Sequence, residues 1–284
     1  MRVAALHTYP VKGCHRLDHD AARVEPWGLA GDRRWMIVDA DGVGVTQRRH
    51  PALATLRPTL RSGGLVLRGP GHPDLDVPEP TGGEPTPART FRHRKFDVEA
   101  RAAGPAADAW LTTALGHPVR LVWLARPTRH IARGDRRHDP GDQVSFADAY
   151  PLLLTVTASL DALNGWLAEA DAAPAPMARF RPNLVVEGAP AWAEDGWTGR
   201  DLRIGDSVFR AAGGCDRCAV TTVDQETGTR TGQEPLRTLA RHRRIDRAVV
   251  FGLNLVPVAV GTVAVGDPVR LATDDPPRAS GSAS

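Results

Sequence analysis

Few apolar runs in this chain reach helical length before a breaker stops them. Glycine and proline, 28 and 24 of them in 284 residues, leave segments of strand length between turn signals. That spacing limits the fold more than any single motif. Residues 34–39 and 43–48 flank Ala40-Asp41-Gly42, a turn signal that predicts a β-hairpin. The stretch 63–90 reads as loops joining short strands. Buried or half-buried strands are expected at 119–123, 151–156, 180–187, 201–211 and 261–271. The last of these holds a hairpin in Val-Ala-Val-Gly-Asp-Pro-Val. Helices are few: 106–115, stopped by Gly116; 160–170, opened by Ser159 as N-cap; and a short one beginning at Pro235. Strands without regular helix alternation predict a mostly β, α+β-type chain with a barrel-like core and peripheral helices.

The polar, basic, turn-forming stretch 125–144 is the natural place for a junction between two halves, or else one long surface loop. The division is accordingly drawn as 1–124, a junction at 125–144, 145–272, and a tail from 273 expected to be disordered. Hydrophobic content of 42% and charged content of 24% are those of an ordinary globular protein. The net charge of +3 comes almost wholly from arginine, since Lys12 and Lys95 are the only lysines. Codon bias accounts for this more simply than function does. The N-terminus carries no apolar run of signal-peptide length, and no segment approaches the roughly 18 apolar residues a membrane span needs. The expectation is a cytoplasmic protein that binds neither membrane nor nucleic acid.

Three cysteines exclude a disulfide framework. Two of them, Cys215 and Cys218, lie in Gly-Gly-Cys-Asp-Arg-Cys-Ala-Val-Thr-Thr-Val-Asp. Asp216 and Arg217 give each thiol a charged neighbour, and an arginine favours the thiolate that binds metals. A structural zinc site wants two more ligands, which Cys14 and scattered histidines do not supply at any supporting spacing. A thioredoxin-like motif would open a helix, whereas Ala219–Val223 reads as a strand. Spacing alone leaves metal or sulfur chemistry and an inert pair both open. Arg179-Phe-Arg-Pro-Asn183 places guanidinium donors and an amide just before a strand, a set suited to phosphate and heteroaromatic edges. Lys12, in Tyr9-Pro-Val-Lys-Gly-Cys14, and Arg33, in Gly31-Asp-Arg-Arg-Trp35, stand at strand ends where each can grip a phosphate. Taken singly, each is as well explained by solvation.

Together these motifs resemble the MOSC family of molybdenum-cofactor proteins with its N-terminal β-barrel domain. Tyr-Pro-Val-Lys at 9–12, Gly-Asp-Arg-Arg-Trp at 31–35 and Thr-Gln-Arg at 46–48 resemble the N-terminal domain. Phe-Ala-Asp-Ala-Tyr-Pro at 146–151, Arg-Phe-Arg-Pro-Asn at 179–183, Glu-Asp-Gly-Trp at 194–197, the cysteine motif at 215–224, Glu-Pro-Leu-Arg-Thr-Leu at 234–239 and Val-Gly-Asp-Pro-Val at 265–269 resemble the MOSC domain. They occur in the family's order over nearly the whole chain.

The resemblance implies a molybdenum cofactor (Mo-molybdopterin) between the two domains, with Cys218 as metal ligand. Lys12, Gly13, Arg33, Arg181, Asn183, Asp216 and Arg217 would bind the cofactor, and Asp148 would stand with Cys218 on the catalytic face. Gly13 occupies a position where close relatives have serine, so any hydroxyl contact there is lost or becomes a backbone N–H contact. A pyridoxal phosphate label also travels with the family. The implied chemistry is reduction of the N–O bond of N-hydroxylated compounds. Some bacterial relatives carry a C-terminal iron–sulfur domain, and three cysteines cannot hold a four-cysteine cluster. Electrons are therefore expected from a separate ferredoxin, flavoprotein or cytochrome b5-like donor. The alternative is a non-catalytic carrier of the cofactor or of sulfur, with a persulfide on Cys218.

Overall fold

The structure, a computed structural model, describes residues 1–90, 97–131 and 139–272. The tail from 273 lies outside these residues, as does 132–138 of the junction stretch. The described chain is mostly β with three α-helices, α1 (Pro105–Leu115), α2 (Thr157–Glu169) and α3 (Leu236–His242).

The largest sheet contains strands from both ends of the chain. Its order is Val269–Leu271, Asp201–Ile204, Ser207–Asp216, Ala248–Ala259, Leu152–Val156, Leu184–Glu187, Arg2–Thr8 and Leu17–His19. Leu152–Val156 is buried at every position, as a central strand covered on both faces must be. It runs parallel to Leu184–Glu187, and the crossover between them is α2. The sheet then closes on itself. Val3 N donates to Asp267 O (2.9 Å), Gly266 N to Val3 O (2.8 Å) and Val269 N to Met1 O (2.9 Å), which leaves a barrel. Val3, Leu6, Leu154, Val156, Leu184, Leu202, Phe209 and Leu255 fill its core.

The sheets cross the division drawn at 125–144. Arg2–Thr8 pairs with Leu184–Glu187 in the far half, and Ala21–Glu25 pairs with Thr262–Ala264. The remaining N-terminal strands build their own sheets. One is ordered Thr86–Arg89, Asp97–Ala102, Arg120–Trp123, Trp35–Val38, Val11–Lys12, and the other is the meander Arg57–Arg61, Gly64–Gly69, His72–Pro78. α1 packs on a second core with Trp35, Leu53, Leu67, Leu111, Leu121 and the fully buried Cys14. Its C-terminal end is as expected, with Gly116, at φ 73°, capping it with an N–H to Thr112 O; it starts one residue earlier than expected, at Pro105, which suits a first helical position.

Several local expectations are corrected. Only Trp35–Val38 of the first hairpin is a strand; the returning segment makes a single bridge to it, Val38 to Gly44, and another to Arg89 from Val43. Ser159 is not an N-cap. α2 begins at Thr157, and the buried Ser159 hydroxyl donates to Glu194 Oε2 (2.9 Å). Residues 177–180 form a 3-10 turn, so that strand starts at Leu184. The 201–211 run is a tight hairpin rather than one strand. Val-Ala-Val-Gly-Asp-Pro-Val is no hairpin, because Thr262–Ala264 pairs with Ala21–Glu25 and Val269–Leu271 with Asp201–Ile204. Ala219–Thr222 is a 3-10 turn, not a strand.

Candidate functional site at the seam of the two halves

The strand Ser207–Asp216 ends at the cysteine pair, and the 3-10 turn begins immediately after Cys218. This places both thiols at the seam where the N-terminal loops meet the barrel. Cys218 Sγ accepts a hydrogen bond from Arg48 Nε (3.3 Å), and Arg48 Nη2 also approaches Asp148 Oδ2 (3.7 Å). Asp148 in turn pairs with Lys12, whose Nζ also donates to Phe146 O (2.6 Å). Lys12, Asp148, Arg48 and Cys218 thus form one chain of contacts drawn from both halves. Arg217 turns the other way, donating to Cys215 Sγ (3.0 Å) and Phe180 O (2.6 Å). The arginine between the cysteines therefore touches Cys215, not Cys218.

A second cluster lies beside the first. The Arg33 and Arg181 guanidiniums lie 4.6 and 4.1 Å from the centroid of the Tyr9 ring, distances that give cation–π attraction. Both residues have left-handed backbones, at φ 49° and 57°. Arg33 pairs with the buried Asp32, whose other oxygen accepts from Tyr9 N (2.7 Å). Arg181 Nη1 donates to Gln225 Oε1 (2.8 Å). Gln225 and Gln47 exchange hydrogen bonds at 2.9 and 3.0 Å, and Gln47 also donates to Gly13 O (2.7 Å). Gly13 itself sits at φ 83°, where a side chain is strained. That is a local reason for glycine at this position.

The other expected residues are placed differently. Asn183 is fully buried, its Oδ1 accepting from Arg33 Nη1 (3.2 Å) and Leu153 N (3.2 Å) and its Nδ2 donating to His7 O (3.0 Å). Its amide ties the first strand to the barrel and underpins Arg33. Asp216 is exposed at the end of its strand. Arg48, Gln47 and Gln225 were not singled out in sequence. Only the Thr-Gln-Arg motif at 46–48 pointed toward two of them.

The electrostatics are those of a cationic site short of anions. Burial pushes Lys12 down to about 8, with Asp148 offsetting part of the fall. Partial burial pushes Asp148 up, but Lys12, with Arg48 and Arg33 behind it, holds the carboxyl below its usual range. Burial also pushes Arg181 down to about 10 and the enclosed Tyr9 phenol and Cys14 thiol up to about 12. Arg181 Nη2, Arg179 Nε and Arg217 Nε are buried with no acceptor. Buried donors are normally satisfied; these three belong to arginines around Phe180, while Arg129 Nε and Arg243 Nε are without a partner elsewhere in the fold. A multiply charged anion beside a thiolate fits, and the pterin phosphate and soft metal of a molybdenum cofactor are such a pair. Among the described residues no cluster of three or more His, Cys, Asp or Glu could hold a metal by itself, so the zinc alternative has no ligand set.

Residues 1–118 match the MOSC N-terminal beta barrel domain and residues 141–270 the MOSC domain. The chain belongs to the MOSC family. It is similar to mitochondrial amidoxime-reducing component 1 of Homo sapiens, 34% identical over 95% of this chain and 82% of that protein. The component 1 protein of Xenopus laevis is 32% identical over 95% and 82%, and component 2 of Homo sapiens 32% over 94% and 82%. These names overturn the expected cytoplasmic location, since each relative is named as a mitochondrial component. No described helix is long and apolar enough to cross a membrane. Neither the matched domains nor the relatives' names support the pyridoxal phosphate label.

Proposed function

We propose that the chain is a molybdenum-cofactor-dependent oxidoreductase that reduces N-hydroxylated compounds, cleaving N–O to leave the amine or amidine and water. The observation that carries this reading is Cys218 Sγ at the seam, held by Arg48, in a region where Arg179, Arg181 and Arg217 each keep one buried N–H without an acceptor. The relatives named amidoxime-reducing components support the same chemistry. When bound, the cofactor would supply a sulfur-ligated metal that accepts the substrate's oxygen and passes electrons in pairs.

The chain's own residues do the rest. Cys218 supplies one soft thiolate ligand. Arg181 and Arg217, with Lys12 and Arg33, would grip the anionic end of the cofactor through charge-assisted hydrogen bonds, and Asp216 and the Gly13 backbone would add further contacts. Asn183 holds Arg33 in place from the barrel side. The half-exposed Asp148 faces the substrate, and its partner Lys12, with a pKa near 8, can give up and regain a proton near neutral pH. Reduction of N–OH consumes two protons and two electrons. A separate electron donor supplies the electrons.

Expression in a host that makes molybdenum cofactor, followed by metal analysis and assay of benzamidoxime reduction with an artificial donor, tests this reading. Bound molybdenum with turnover is expected. Bound molybdenum without turnover would favour a carrier of cofactor or sulfur, and zinc in its place would end both readings.

A further inference from the structure

The geometry points to the face made by α3 and the hairpin turn after it as the docking surface for an acidic one-electron carrier protein. This deepens the reductase reading and rests on it. Each N–O bond reduced needs two electrons, delivered singly by such a carrier, together with two protons.

The hairpin joins Arg244–Ile245 to Ala248–Ala259 through Asp246 and Arg247, both at positive φ (46° and 72°). Positive φ at both loop positions is the geometry of a tight two-residue turn, but arginine is not the residue that turn favours. The turn projects Arg244, Ile245 and Arg247 into solvent, next to Arg241 and His242 from the end of α3. Arg241, Arg244 and Arg247 have no carboxylate within ion-pair distance among the described residues, and Asp246 is the one acidic residue of the turn. By contrast, Arg57, Arg61, Arg68 and Arg210 are each paired. The exposed Ile245 adds an apolar anchor inside the ring of charge, the composition of a small transient interface.

The face is also coupled to the seam. His242 stacks on Trp166 (4.3 Å), Trp166 on Trp192 (5.2 Å), Trp192 meets Phe251 edge-on (6.0 Å), and Phe251 stacks on Phe180 (3.9 Å). Phe180 O accepts from Arg217, which also touches Cys215. The hairpin reaches the same place through the backbone, because Arg217 N donates to Val249 O (2.7 Å). A carrier seated on these arginines would lie at one end of a ring-to-ring path that ends at Phe180, whose carbonyl Arg217 links to Cys215.

The test uses the cofactor-loaded full chain, with reduced plant-type [2Fe–2S] ferredoxin and a soluble cytochrome b5 haem domain as acidic probes. Wild type should bind at least one probe at about 20 mM salt and lose most of that binding by about 300 mM, as screened surface charges do. The R241E/R244E/R247E variant should bind at least ~10-fold more weakly at low salt, while its melting temperature and dithionite-driven benzamidoxime reduction stay at wild-type values. The R203E/R270E variant reverses two exposed arginines paired across Asp201–Ile204 and Val269–Leu271; it should bind like wild type. Unchanged binding in the triple variant would overturn the docking surface, as would equal loss in R203E/R270E. So would failure of wild type to bind either probe, or capture of duplex DNA or anionic vesicles by these arginines with no carrier binding. Absence of dithionite-driven turnover in wild type would instead count against the reductase reading, since the binding measurement stands apart from it.

Discussion

The seam and the meander Arg57–Pro78 treat the same residue type in opposite ways. On the meander, Arg61 pairs with Asp76 and Arg68 with Asp74, side by side on an exposed sheet. Such pairs are screened and contribute little, ~0–1 kcal/mol each. At the seam, Lys12 is buried and Arg181 half-buried, their pKa values are depressed, and nearby guanidinium N–H groups have no acceptor. A chain selected only to fold would have little reason to gather such cations there, because desolvating a charge is costly even when it is paired, as Lys12 is with Asp148. The difference separates charge kept for solubility from charge kept for a ligand.

Six substitutions can break or sharpen that contrast. The largest effect is expected at the thiol: Cys218→Ser should abolish both molybdenum retention and benzamidoxime turnover, whereas Cys215→Ser should only weaken them. Equal loss in the two variants, by metal analysis and steady-state rate, would rule out a single-thiolate ligand. Next comes Arg181→Met. Loss of a charge-assisted contact should cut cofactor retention by at least ~10-fold, yet the cofactor-free variant should be as stable as the parent or up to ~2 kcal/mol more stable in urea. A strongly destabilised cofactor-free variant would show that Arg181 serves the fold itself.

Lys12→Met gives a pH signature. Lys12 is held near 8 in the fold against an ordinary 10.5, so over that interval the unfolded chain binds the extra proton. Stability therefore rises with pH through this window as the cost of burying the charge is relieved. Relative to Lys12→Met, the parent should gain up to ~3 kcal/mol between about pH 8 and 10.5, read from paired urea melts of cofactor-free protein. A flat difference would mean that Lys12 is better solvated than its burial implies. The smallest effect belongs to the meander: Arg61→Ala and Arg68→Ala should each cost less than ~1 kcal/mol and leave cofactor content untouched.

Where the signals were local, the fold could be read from the sequence. Helix α1 was legible because Gly116 stops it, although its start at Pro105 lay one residue before the expected one. The longest strand, Ala248–Ala259, gave no such signal, since Gly252, Asn254 and Pro257 interrupt its apolar run. Gly252 sits at φ 80°, where an added Cβ would come within 2.7 Å of Leu154 O, so a breaker in sequence is a packing requirement in the barrel. The final hairpin misled for a related reason: each of its strands pairs with a partner far away in the chain. Lys12, Arg33, Arg181 and Cys218 were singled out through motifs. The Thr-Gln-Arg motif at 46–48 included Gln47 and Arg48 without singling them out, and Gln225 had no signal of its own, because their contacts run between the halves. Arg217 sits between the cysteines in sequence, which says nothing about which thiol it meets.

The first strand has a consequence for biosynthesis. Arg2 and Glu187 lie 185 positions apart, yet they sit on adjacent strands of the barrel. At ribosomal rates of ~5–20 residues per second, the opening strand waits roughly 10–40 s for that partner to be made. Until then the strand has a bare hydrogen-bonding edge, a vulnerability of nascent chains that chaperones cover. The barrel closes only after the Val269–Leu271 strand has also emerged, so the seam that joins the halves cannot be completed before then.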